Sequence, residues 1–400
     1  MQLLSSRLKF VNTSATAKIN NLILAKKNAG QRVLSLAVGE PDFETPENIK
    51  KAASTAIKKG LTRYTATDGI DELKSAIKTK FQYENSLSFN NDQLIVCSGG
   101  KQVMFNAFLA TLNPKDEVVI PSPFWVSYPD IVRLCGAKPK IIETSIKNNF
   151  KITAADLKKS LNIKTKWLIL NSPSNPSGNV YSATELMEFS KVLDQFPNVN
   201  IMSDDIYEHL IFERTPFINI LQVNPKLKDR TLLINGVSKS YAMTGWRIGY
   251  GAAPSPLIKA MTIIQSQSTS NATSISQYAA IEALTGNQDF ITKNKLIFEN
   301  RRDLMLNILS RSNDLSIVKP LGAFYALPSI NSLIGKKTSR GTIVSSDDRF
   351  VSELFKETGV AVVPGRSFGQ KNTFRISYAT SESILREACE LIVDFIEKLE

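Results

Sequence analysis

The chain has 400 residues, 42% of them apolar, and a formal net charge of +12. That length is enough for about two or three domains, and an apolar share near the soluble average supports a sizeable core and excludes wholesale disorder. No apolar run approaches the roughly 20 residues of a membrane span. The N-terminus MQLLSSRLKFVNTSATAKIN has no apolar region with a small-residue cleavage site, although it is basic and contains several serines and threonines, as transit peptides do.

Three widely spaced cysteines, Cys97, Cys135 and Cys389, fit neither a disulfide framework nor a zinc site and are simplest to place in a reducing cytoplasm. His209 is the only histidine, which excludes a His-rich metal cluster and any mechanism needing two histidines. The positive charge is scattered in pairs such as Lys26–Lys27, Lys58–Lys59 and Lys336–Lys337, in or beside predicted helices. Such pairs form solvated faces, and no run reaches the 5–6 like charges of a binding tail, so nucleic acid is not an expected partner. A positive field would mildly favour encounter with anionic substrates.

In chain order, Thr45, Pro46 and Glu47 read as an N-cap, a first-turn proline and an early acid. Ile49, Ala52, Ala53, Ala56 and Ile57 then fall on one helical face. Ile70, Leu73, Ile77 and Phe81 predict a second helix. Strands rich in Val, Ile and Leu follow at Leu94–Cys97, Glu117–Ile120, Trp167–Asn171, Val199–Ser203 and Thr231–Asn235, with helical stretches such as Gln102–Leu112 and Ala183–Phe196 between them. Alternation of this kind predicts α/β architecture with a largely parallel sheet. The last quarter has short strands at Phe324–Leu327, Val360–Val363 and Thr373–Tyr378 and a closing helix at about Ser383–Lys398, which predicts a smaller α+β domain joined by the N-terminal arm. The expected division is 1–45 for the arm and part of the small domain, 46–295 for the large domain and 296–400 for the small one.

Ligands of open α/β sheets bind beyond the carboxyl ends of the strands. The segments that follow the predicted strands are SGGK (98–101), NSPSNPSG (171–178), DDIY (204–207) and GVSK (236–239), the polar and glycine-rich pieces of the chain. Their convergence on one edge points to a single site there. Lys239, after a buried strand and eight residues before Arg247, should feel desolvation and a nearby cation, both of which favour the neutral amine. A neutral amine can form a Schiff base with an aldehyde, whereas the bland alternative is a surface lysine in a loop. Ser238, Ser240 and Arg247 around it are suited to a phosphate.

Asp204 ends a buried run, where an ionised carboxylate needs a cation such as a protonated pyridine nitrogen. Taken alone, it reads better as a helix N-cap. Tyr207 could donate to a ring hydroxyl oxygen or simply pack. Gly99 and Gly100, between strand and helix, read as a backbone phosphate cradle, and the turns of NSPSNPSG as a rigid mount for Asn175. Arg375 shares a strand face with Ser377, opposite Phe374 and Ile376. It either pairs a substrate carboxylate or reaches solvent, and Arg366, in the loop PGRSFG, is a poorer candidate.

Together, AVGEPDFETP, YTATDGI, SGGKQ, SPFWVSYP, NSPSNPSG, SDDIYEHL, SKSYAMTGWRIGY, GAFYALP, VVPGRSFG and RISYAT resemble, in this order and over nearly the whole chain, the class I aminotransferases of pyridoxal-phosphate fold type I. Within that class the resemblance is greatest to the bacterial aspartate aminotransferases, some of which also use prephenate. It implies a large domain with a mostly parallel sheet flanked by helices, a smaller α+β domain, and a homodimer with shared active sites acting on amino acids and 2-oxoacids.

The resemblance also implies roles. Lys239 would carry pyridoxal 5'-phosphate and shuttle the proton, Asp204 would pair the pyridine nitrogen, Tyr207 and Asn175 would bond the ring oxygen, and Trp125 would stack on the ring. Gly99, Gly100, the Lys101 backbone, Arg247, Ser238 and Tyr64 from a second subunit would hold the phosphate. Arg375, Asn175 and the Gly39 amide would take the substrate α-carboxylate, and Thr16 with Lys101 a distal carboxylate, hence an acidic substrate such as aspartate. Two departures stand out. Gly236 occupies a position where some relatives have serine, and the histidine that supports the pyridine-bound aspartate in some relatives is absent, which leaves His209 a structural role. The alternatives are a prephenate or aromatic aminotransferase, a pyridoxal-phosphate lyase, and a transcription regulator, for which residues 1–40 are too short to supply a DNA-binding module.

Overall fold

The computed structural model of the chain describes residues 3–11 and 15–400, and within them leaves out the side chains of residues 6, 15–18, 20 and 27. A two-residue strand, β1 (Leu34–Ser35), precedes the strands of the main sheet. These are β2 (Leu94–Cys97), β3 (Glu117–Pro121), β4 (Lys138–Ile142), β5 (Thr165–Asn171), β6 (Asn200–Asp204), β7 (Thr231–Gly236) and β8 (Gly249–Ala252). Their order across the sheet is β2-β8-β7-β6-β5-β3-β4, and only β8 runs antiparallel to its neighbours.

The pleat sorts side chains between two layers. Leu94, Val96, Val119, Leu168, Leu170, Ile201 and Leu233 enter one core, while Ile95, Val118, Ile120, Ile169, Met202, Leu232 and Ile234 enter the other. Both faces are therefore covered by helices, which is why the strands read as continuous apolar runs rather than alternating ones.

The sequence pattern did not reveal β4 and β8. The β4 strand is KPKII, whose lysines and proline hide it at the sheet edge, where a proline is tolerated. The β8 strand is GYGA, and its glycines depress strand propensity but serve packing. A Cβ on Gly249 would lie 2.2 Å from the Gly100 amide nitrogen, so only glycine lets the helix Gly100–Thr111 start against this strand. That helix begins two residues before the predicted start, which puts Gly100 and Lys101 in its first turn.

At the start of the helix Glu47–Lys58, Pro46 takes the N-cap position, and Thr45 does not cap. Its hydroxyl instead donates to the Ala242 carbonyl and accepts from Trp246 Nε1, tying residues 39–45 to the segment after Lys239.

Four short strands complete the set: β9 (Tyr325–Ala326), β10 (Val360–Ala361), β11 (Val363–Pro364) and β12 (Phe374–Ser377). The predicted strand at Val360–Val363 is split, because β10 pairs parallel with β1 while β11 pairs antiparallel with β12. The predicted strand at Phe324–Leu327 shrinks to the two residues of β9, which pair with β12. β9, β10 and β12 share a third core with the closing helix Glu382–Glu397 and with Phe298 and Met305 of the helix Asp289–Leu309. Leu34 and Leu36 also belong to it, so the chain's early residues pack with its last quarter. Among the described residues no helix is long and apolar enough to cross a membrane.

Candidate active site

A cavity of about 320 Å³ opens at the carboxyl edge of the main sheet, lined by Gly39, Gly100, Lys101, Trp125, Asn175, Asp204, Tyr207, Ser238, Lys239, Arg247 and Arg375, together with Ala37, Tyr128, Asn171, Ile206, Thr244 and Tyr325. The ends of β5, β6 and β7 supply its floor. Of the described residues singled out in the sequence, Gly99, Tyr64, Ser240 and Arg366 are not on its wall.

Lys239 lies three residues beyond β7, half-buried, and its Nζ donates to the Gly39 carbonyl at 2.7 Å. Burial pulls its amine down to about 8. The Glu40 carboxylate opposes that pull, and Arg247 and Arg375 reinforce it. The amine is thus held close to its reactive form by desolvation first and by neighbouring cations second.

Asp204, the last residue of β6, is 8% exposed. Its carboxylate accepts from the Tyr128 hydroxyl at 2.6 Å and from the Ile206 amide at 3.4 Å. Burial raises its carboxyl, while the Tyr128 hydrogen bond and the charge of Lys239 work against that rise. No helix follows it, so the N-cap alternative falls away. Its neighbour Asp205 points elsewhere, to Ser203 Oγ and Asn219 Nδ2, and burial pushes it up to about 8. Tyr207, 3% exposed, meets the Tyr325 hydroxyl at 3.0 Å.

At the other end of the cavity the helix Gly100–Thr111 begins, with Gly99 at its N-cap and φ of +87°. Arg247 lies across Gly99, where a Cβ would fall 2.2 Å from its Nη2, and is anchored by the carbonyls of Ser98 and Thr244. A helix N-terminus faced by a guanidinium is an anion site by geometry and by charge. Ser238, 8% exposed, lines the same cavity. Ser240 does not line it: its hydroxyl is engaged by His209 Nδ1 at 2.9 Å, and His209 Nε2 meets Glu84 at 2.8 Å, so both belong to a structural network. Trp125 stands between, its ring edge-on to Tyr128 and under Lys101 Nζ, 4.7 Å from the centroid. Burial and Arg247 together lower the Lys101 amine.

Arg375 is 2% exposed, which removes the solvent-reaching alternative. All four residues of β12 are buried, so the strand has no wet face. The guanidinium donates to Asn175 Oδ1 at 3.0 Å and to the Ala37 carbonyl at 2.7 Å, and its buried Nε has no partner. It stacks on the rings of Tyr325 and Phe368, 4.5 and 4.8 Å from their centroids. Its hydrogen-bond partners among the described residues are all neutral, an expensive state for a buried cation unless an anion arrives. Arg366, by contrast, is neutralised by Asp347 and Asp348. The Thr16 side chain lies outside the described residues, and Tyr64 is 91% exposed, away from this cavity.

The sequence reading passed over three residues that shape the site: Tyr128 on Asp204, Tyr325 on Tyr207, and Asn171, which bonds the Asp204 carbonyl and the Asn175 amide. Tyr128 and Tyr325 stand inside SPFWVSYP and GAFYALP, where a hydroxyl amid apolar residues is the available signal, since a buried tyrosine needs a partner.

The family model "Aminotransferase class I and II" matches residues 31–392. A probable aspartate/prephenate aminotransferase of Rhizobium leguminosarum bv. phaseoli is 52% identical over 395 residues, 99% of each chain. The aspartate/prephenate aminotransferase of Cereibacter sphaeroides is 50% identical over 395 residues, again 99% of each. Among solved structures, the aspartate aminotransferase of Rhizobium meliloti superposes with a TM-score of 0.97 at 46% identity over 100% of both chains. The aspartate aminotransferase of Thermus thermophilus with maleate gives a TM-score of 0.91 at 38% identity, over 99% of this chain and 100% of that one.

Proposed function

Since the chain belongs to the class I and II aminotransferases, we propose that it moves the amino group of L-aspartate to 2-oxoglutarate on pyridoxal 5'-phosphate held by Lys239. The products are oxaloacetate and L-glutamate. The observation that carries this reading is the pairing of two groups in one cavity: a lysine amine lowered by burial and a buried guanidinium, Arg375, whose partners are neutral.

The donor set fits the cofactor. Gly99 leaves space that a Cβ would fill beneath Arg247, at a helix N-terminus suited to a phosphate. Asp204 offers a buried carboxylate met by Tyr128 and a backbone amide rather than by a cation, as a pyridinium requires. When bound, pyridoxal phosphate supplies an electron sink for the bonds at the amino acid's α-carbon. Lys239 Nζ would be the covalent anchor for the cofactor and the base for the proton at the α-carbon. Tyr207 and Asn175 would donate to the ring oxygen, and Trp125 would stack on the ring. Gly99, Gly100, the Lys101 amide, Ser238 and Arg247 hold the phosphate, with Tyr64 of the partner subunit in a homodimer.

Arg375, Asn175 and the Gly39 amide take the α-carboxylate. Lys101 and Thr16 read the distal carboxylate, and the Lys101 Nζ over the Trp125 ring, unpaired by any acid among the described residues, supports an acidic substrate. The names of the relatives favour prephenate as a second amino acceptor.

A visible absorption titration tests the reading. L-Aspartate should discharge the yellow band, and either 2-oxoglutarate or prephenate should restore it. A protein that releases an eliminated product with no 2-oxoacid dependence is a lyase, and one that never turns yellow with added cofactor overturns the role of Lys239.

A further inference from the structure

We propose that Tyr325 is a positioning residue that aims the proton of Tyr207 into the cavity and braces Arg375 from behind, so that one side chain serves both the ring-oxygen and the carboxylate contacts. The inference rests on the function proposed above. Tyr325 lies in β9, opposite Ser377 of β12 and so one register step past Ile376 from Arg375. It is 1% exposed.

Among the described residues each of the hydroxyls of Tyr325 and Tyr207 has the other as its hydrogen-bond partner, at 3.0 Å. In such a contact one oxygen gives its proton and the other keeps its own free. Either hydroxyl can be the donor here. Once Tyr207 gives its own proton to the ring oxygen, as the function proposed above requires, its oxygen can only accept from Tyr325, and Tyr325 is left as the donor. A hydroxyl that accepts one hydrogen bond donates a second more strongly. The ring of Tyr325 lies 4.5 Å from the Arg375 guanidinium carbon, and both side chains are almost fully buried. The charged groups acting on the pair are Arg375 from β12 and Asp204 from β6, with Lys239 reaching the Gly39 backbone.

The two contacts separate by substitution. Tyr325→Phe removes the hydroxyl and keeps the ring, whereas Tyr325→Leu removes both. Each variant, loaded with pyridoxal phosphate, is titrated with pH by its visible band and then with maleate, a dicarboxylate that cannot react. A weaker Tyr207 donor leaves more negative charge on the ring oxygen, so the proton at Lys239 Nζ is held more tightly and the midpoint rises. Tyr325→Phe should raise the midpoint by roughly 0.5–1 and leave maleate affinity within about twofold. Tyr325→Leu should raise it as much and weaken maleate roughly fivefold or more. Adding Tyr325→Phe to Tyr207→Phe should move the midpoint no further. A Tyr325→Phe midpoint equal to that of the unaltered protein, or full maleate affinity in Tyr325→Leu, overturns the proposal while leaving the aminotransferase reading intact. An unaltered protein with no pH-dependent visible band overturns both.

Discussion

Lys239 shows how far burial alone can tune one group. An unperturbed lysine titrates near 10.4, and here the amine is brought to about 8 mainly by desolvation. Below that value the ammonium dominates and cannot attack an aldehyde. Capture of pyridoxal phosphate by the cofactor-free protein should therefore speed up as pH rises to about 8 and then level off, and stopped-flow absorption across pH 6–10 reads it. A midpoint near 10.4 would falsify the buried setting. The same shift bears on stability. Between about 8 and 10.4 the unfolded chain holds a proton that the folded one has released, so the penalty of burying Lys239 is full below pH 8 and fades above it. Lys239→Ala should abolish turnover altogether, since anchor and base are lost together. Lys101→Ala should weaken aspartate by roughly tenfold and alanine hardly at all, and equal losses in kcat/KM for the two donors would remove Lys101 from substrate recognition.

At the level of the element, the junction of β2, β8 and the helix Gly100–Thr111 depends on glycine at two points. Gly99 has φ of +87° and would thrust a Cβ into Arg247, and Gly249 would thrust one into the helix's first amide. Gly99→Ala should strain the cradle by about 1–3 kcal/mol. That corresponds to roughly fivefold to 150-fold loss of cofactor affinity, measured by fluorescence titration of the cofactor-free protein; unchanged affinity would show that the phosphate lies elsewhere. Leu233→Ala, in β7 and fully buried, tests the scaffold instead. It should cost about 2–5 kcal/mol in chemical denaturation. The apolar runs of β2, β3, β5, β6 and β7 were legible because strands buried on both faces leave no choice of residue type. The β4 and β8 strands were not, because an edge strand tolerates lysine and proline and a strand under a helix N-terminus needs glycine.

For the whole molecule, Tyr64 poses the question of assembly. It is 91% exposed and absent from its own chain's cavity, which fits a side chain that serves a second copy. If so, a Lys239→Ala chain and a Tyr64→Ala chain mixed and allowed to exchange subunits should form hybrids in which one site has both residues. About half the sites of each hybrid should then regain the phosphate affinity of the unaltered protein. Unrestored binding in a mixture that does exchange would place Tyr64 outside the site.

The sequence by itself determined the α/β alternation and the segments that gather beyond the strand ends, because burial on both sides of a sheet and ligand binding at its carboxyl edge constrain residue type locally. It also singled out Lys239, Asp204, Tyr207, Asn175, Arg247 and Arg375, which the structure brings to one cavity. Only the tertiary structure decided between the readings that a linear pattern leaves open. Asp204 turned out to cap no helix, Arg375 to be sealed from solvent on a strand buried on both faces, and Ser240 to be committed to His209. Each of those outcomes depends on which distant segment packs against the residue, as Tyr128 does on Asp204 from 76 positions away and Tyr325 on Tyr207 from 118. Local periodicity carries no information about such partners, since they are set by how the layers close on one another.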